Sequence, residues 1–122
     1  MKHLWKVLSV LLALAMLPFA TASASESVKI GVIYTVAGLG GASFNDVIHE
    51  GCQRAEKELG ITYEYVEPST IADEETVMDE MCISGEYALI ICVGNEQKDA
   101  VSTVASNYPE QKFCYIDASV DL

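Results

Sequence analysis

Between Gly38 and Asp46 the chain reads Gly-Leu-Gly-Gly-Ala-Ser-Phe-Asn-Asp. Glycines there let a backbone approach a bound molecule closely. A ring and a carboxamide follow at once, at Phe44 and Asn45. Such a pair can stack on a flat heterocycle and hydrogen-bond its edge. Asp117, at the end of a later apolar run, can accept hydrogen bonds from sugar hydroxyls. Each residue also has a plainer reading. Phe44 could be a staple packing the start of a helix, Asn45 a solvated first-turn residue, and Asp117 a cap for a following helix.

Other reactive side chains give less. The four cysteines, Cys52, Cys82, Cys92 and Cys114, contain no close pair, so zinc and redox-dithiol chemistry are disfavoured. Their neighbours make them read as buried free thiols, with disulfides as the alternative in an exported chain. His49 reads as a surface residue on a helix flank, with no serine or cysteine partner to argue for. Glu74, Glu75, Asp79 and Glu80 read as a solvated helix face. The glycine loop resembles a dinucleotide fingerprint only weakly, because Ser43 stands at the third glycine. The sequence calls for no cofactor.

The elements that position these residues alternate. Val28–Tyr34 is a β-branched apolar run typical of a strand buried on both faces. A helix is predicted over Ser43–Leu59, with Phe44, Val47, Ile48, Gly51, Cys52, Ala55 and Leu59 inward. Ser43 and Asp46 form a capping box at its start, and Gly60 stops it. A strand over Thr62–Val66 follows, then a helix over about Ala72–Ser84 with Val77, Met78, Met81 and Cys82 inward, stopped by Gly85. Tyr87–Val93 is the third strand. A helix over about Glu96–Asn107 turns Ala100, Val101, Val104 and Ala105 inward, and Lys112–Ile116 is the fourth strand. This β-α-β-α-β-α-β order predicts an α/β fold, a doubly wound parallel sheet with helices on both faces. In such sheets ligands bind beyond the carboxyl ends of the strands. The segments that reach that edge are 34–45, 67–72, Gly94-Asn95 and 117–121.

Lys2, His3 and Lys6 precede an apolar stretch from Val7 to Ala20 and a small-residue site, Ala22-Ser23-Ala24. This is the pattern of a secretory signal peptide cut after Ala24, with a cut after Ala22 or an uncleaved anchor as the alternatives. Residues 25–122 are then one domain, exported to the periplasm or the outer face of the plasma membrane. No cysteine adjoins the cleavage site for lipid attachment. With 18 acidic against 7 basic residues, the chain carries a formal charge of −11. That field disfavours nucleic acid, whose phosphates need lysine and arginine. No helix is foreseen after the last strand, which suggests a partial lobe whose second half is missing. The alternative is a small domain that covers itself by dimerising.

Three stretches carry a resemblance: Val28–Ile33 followed by Gly38–Asp46, Gly85–Gly94, and Tyr108–Phe113 with Ile116-Asp117. Together they resemble the basic membrane protein family, the PnrA-like substrate-binding proteins of ABC transporters. The resemblance implies a type I periplasmic-binding-protein fold of two lobes, with this chain forming most of the first lobe's sheet. It implies a small-molecule, nucleoside-like (purine) ligand and a membrane permease as partner. Phe44 would stack on the base, Asn45 would hydrogen-bond it, and Asp117 would hold ribose hydroxyls. Thr35 stands where some members carry a base-binding aspartate, and Gly41 where many carry an aspartate in the loop. The candidate ligand-binding set is Phe44, Asn45, Asp117, Thr35, Ser43 and Gly94, with no catalytic or metal-binding residue. Two other functions fit the same elements. One is an exported α/β enzyme acting on nucleosides, with Asp117 or Glu67 as general acid or base; the other is a ligand-sensing ectodomain of a signalling protein.

Overall fold

The computed structural model describes residues 27–120; the signal-peptide reading lies outside the described residues. Four parallel strands form one sheet: β1 (Lys29–Ile33), β2 (Thr62–Val66), β3 (Leu89–Val93) and β4 (Phe113–Ile116). Their order is β2-β1-β3-β4, so the two most buried strands lie in the centre. Register follows from pairs such as Val32 with Tyr65, Val32 with Ile91, and Ile91 with Cys114. The polar run Thr-Tyr-Glu-Tyr-Val suits an edge, where only one face needs apolar cover.

Three helices connect the strands: α1 (Phe44–Leu59), α2 (Glu74–Ser84) and α3 (Lys98–Asn107). Short 3-10 turns, Ile71–Asp73 and Asn95–Gln97, lead into α2 and α3, where the sequence suggested continuous helix. Gly60 and Gly85 end α1 and α2 in the left-handed conformation, as their positions foretold.

The sheet has a core on each face. On one, Ile33, Ile90 and Cys92 meet Met78, Met81 and Cys82 of α2 and Val101 and Val104 of α3. On the other, Ile30, Val32, Tyr34 and Val93 meet Cys52 of α1, with Ile48 packed beside them. Each large apolar side chain removed from water in this way contributes about 1.5–3 kcal/mol before entropy is counted.

Three expectations need correction. The inward stripe of α1 is rotated: Asn45 and Cys52 are buried, whereas Phe44, Val47, Gly51 and Leu59 are exposed. The helix covers only one flank of the sheet, so four of the seven apolar-stripe positions stay in solvent. Cys114 is exposed because β4 is an edge strand with its α1-side face open. His49 is no bare surface residue. Its Nδ1 lies 3.0 Å from the Tyr34 hydroxyl and its Nε2 3.0 Å from the Gln53 amide, and its ring meets Tyr65 edge-on. All four cysteines are free thiols, and burial pushes Cys92 up to about 12.

Candidate functional site

The first loop leaves β1 at Tyr34 and reaches α1 at Phe44. Its shape is set by three polar side chains. Asn45 is completely buried. Its Oδ1 accepts from the Thr35 N–H at 3.2 Å; its Nδ2 donates to Thr35 Oγ1 at 3.0 Å and to the Gly38 carbonyl at 2.8 Å. Only this orientation of the amide faces donor to acceptor throughout. Asp46 accepts from Gly40 N–H at 2.7 Å and from Ser43 N–H at 2.9 Å, closing the capping box. Those two backbone donors, Gly40 first, hold its carboxyl below the usual carboxylate range. Glu67, on the loop after β2, accepts from Leu39 N–H at 2.9 Å and so joins the first two loops. Gly38 has φ +68°, which favours glycine, and a Cβ there would lie 2.7 Å from Glu67 Oε2 and push that carboxylate off Leu39 N–H.

Gln97 does the same work between the central strands, and sequence reading missed it. It is fully buried. Its amide donates to the carbonyls of Tyr34 at 2.9 Å and Ile33 at 3.2 Å, while its oxygen accepts from Val93 N–H at 3.3 Å. The carboxyl ends of β1 and β3 are thereby clamped together. Gly94 follows β3 with φ +89°; a Cβ there would meet Thr35 Cγ2 at 2.6 Å. Its carbonyl accepts from the Tyr115 hydroxyl at 3.0 Å, and its N–H donates to Ile116 at 3.1 Å. Asp117 comes next, exposed, and holds φ +70° without being glycine. Such a conformation is uncommon outside glycine and tends to collect at functional sites.

The structure therefore brings Thr35, Asn45 and Gly94 into direct contact, and places Ser43 and Asp117 at the same carboxyl edge. Phe44 is 65% exposed on the first turn of α1. The packing-staple alternative does not describe it; its ring is free to meet another molecule. Asn45 requires a correction. Both its amide hydrogens are spent on the loop, so its carboxamide positions Thr35 and Gly38 rather than presenting an edge to a ligand. The Thr35 hydroxyl accepts twice, from Asn45 and from Ala37 N–H at 3.3 Å, and retains its own proton to donate. Among the described residues, one hollow lies at the opposite, amino end of the sheet, lined by Val28, Lys29, Thr62 and Tyr87.

Comparison with known proteins decides the family. A family model described as ABC transporter substrate-binding protein PnrA-like matches residues 27–121. The chain belongs to this family. A crystal structure of an ABC transporter system solute-binding protein from Aeropyrum pernix K1 superposes with a TM-score of 0.74 at 39% identity, over 78% of this chain and 26% of that one. An uncharacterized lipoprotein of Pyrococcus abyssi is 36% identical over 99 residues, 81% of this chain and 24% of the relative. A CD4+ T-cell-stimulating antigen of Listeria monocytogenes is 28% identical over 102 residues, covering 80% of this chain and 28% of its own. The chain thus spans about a quarter of the length of these three proteins. The expected α/β parallel sheet is observed, and it superposes on the Aeropyrum solute-binding protein.

Proposed function

We propose that the chain is part of the first lobe of an exported ABC transporter receptor that takes a nucleoside-like, purine-bearing ligand at the carboxyl edge of its sheet. The exposed ring of Phe44 above a glycine loop carries this reading. Stacking needs an aromatic face open to solvent on a rigid mount, and α1's capped first turn is such a mount. Thr35 offers one hydroxyl proton, and Asp117 offers a carboxylate for sugar hydroxyls. Asn45, Ser43 and Gly94 shape the backbone on which these stand. The reading assigns the lobe no chemistry of its own: Glu67, the other candidate acid or base, already has an oxygen taken by Leu39 N–H. A lipoprotein relative agrees with a place outside the cytoplasm.

One open edge covers one face of a ligand, so affinity should be weak compared with a two-sided cleft. Chemical-shift titration with purine nucleosides should perturb Phe44, Thr35 and Asp117 together. Phe44→Ala should weaken binding by roughly 5- to 100-fold, the range of a lost base–aromatic stack. A purine panel that moves none of these residues would defeat the proposal.

A further inference from the structure

Glu74 opens α2, and only 1% of the residue is exposed. Among the described residues neither carboxylate oxygen has a hydrogen-bond partner. Asn45 and Gln97, the other buried polar side chains, use their polar atoms on three backbone segments. The groups facing Glu74 do not offset a negative charge. Glu96, on the 3-10 turn after β3, repels it. From β3 and β4 it is felt by the Cys92 thiol and the Tyr115 phenol. Asp99 of α3 acts on that same phenol, and Asp73 before it is tied to Thr70. No cation is among these groups. Burial, then Glu96, pushes the Glu74 carboxyl up to about 7.

We propose that Glu74 is a proton-binding group beneath the loop after β3, held as the neutral acid while that loop is packed, and that its ionisation loosens Gly94–Gln97. Tyr115 connects the two, since its ring shares Glu74's surroundings and its hydroxyl holds the Gly94 carbonyl. Neither the proton site nor the loosening rests on the ligand reading above.

The test is carboxyl NMR titration of Glu74 in the full chain, with unfolding measured across pH. The Glu74 resonance should titrate near neutrality. The sign follows from a folded value above the unfolded one. Stability is complete below the ordinary glutamate value and falls as pH rises through the folded value. The unfolding constant should therefore rise roughly ten- to a hundredfold between about pH 5 and pH 8. Glu74→Gln should flatten this rise, and Glu96→Gln should lower the Glu74 midpoint. Hydrogen-exchange protection of the Gln97 N–H, bonded to Gly94, should drop over the same interval in the parent and hold in Glu74→Gln. A Glu74 midpoint in the ordinary glutamate range overturns the proton site, even if Glu74→Gln does not fold. Constant Gln97 protection overturns the coupling. Failure of nucleosides to bind would leave both results standing and would strike only the receptor reading.

Discussion

The loops after β1 and β2 lie side by side at one edge of the sheet and treat buried polarity in opposite ways. After β1, Asn45 is sunk completely and every polar contact it makes closes a turn. After β2, Glu74 is sunk equally far with both oxygens unpartnered. A buried amide with its bonds made fixes one backbone shape; a buried acid with none must stay protonated or pull its surroundings apart. The first loop is built to be rigid, as a mount for Phe44 requires. The second carries a group whose charge can change.

The largest expected effect lies where the rigid arrangement is most enclosed. Gln97→Ala leaves the Ile33 and Tyr34 carbonyls and the Val93 N–H without their partner in a site fully closed to water. Each unsatisfied buried group costs about 1–3 kcal/mol, so a loss of about 3 kcal/mol or more is expected in urea denaturation. A loss under about 1 kcal/mol would mean that water replaces the amide and that the clamp is unnecessary. Asn45→Ala should cost less, about 2 kcal/mol, because Thr35 and Gly38 lie near the surface and water can reach them. It should also broaden the Thr35–Gly38 amide signals, and it should weaken nucleoside binding because the carboxamide that shapes the loop is gone. Phe44→Ala is the converse. With its ring largely in solvent, stability should change by no more than about 0.5 kcal/mol while binding falls. Equal losses of stability would show that the ring packs after all.

The strands and helices were legible in the sequence for local reasons. β1 and β3 are short β-branched runs, Thr62–Val66 was read with its observed bounds, and Gly60 and Gly85 mark helix ends by conformational necessity. The substrate-binding-protein family was legible in Ser43-Phe44-Asn45 after the glycine loop. The inward side of α1 was misread because periodicity assumes that apolar residues go in. At a strand rim the available partners are carbonyls and hydroxyls, so Asn45 and His49 turn inward and Val47 outward. Glu74 and Gln97 were missed because polar residues at a helix start read as solvated. Yet position 74 precedes Met78 by four, and position 97 precedes Val101 by four. Both continue the buried stripe by one turn, a spacing that could have marked them.

Asp46 offers the smallest and sharpest contrast with Glu74. It is a half-buried carboxylate that gains partners on folding, Gly40 N–H and Ser43 N–H, where Glu74 loses water and gains none. Its folded value lies below the unfolded one. Its contribution is therefore present above the ordinary aspartate range and lost as pH falls through the folded value. The two groups thus pull the stability curve in opposite directions, Asp46 down in acid and Glu74 down towards alkaline pH. Between them the domain should be most stable in the acidic range, about pH 4–5. Asp46→Asn should remove part of the acid limb and leave the neutral limb intact, whereas Glu74→Gln should do the reverse. Urea midpoints of the parent and both variants from acid to mildly alkaline pH would separate the limbs. If Asp46→Asn flattens the neutral limb instead, the loops after β1 and β2 are not the independent halves that their hydrogen bonding describes.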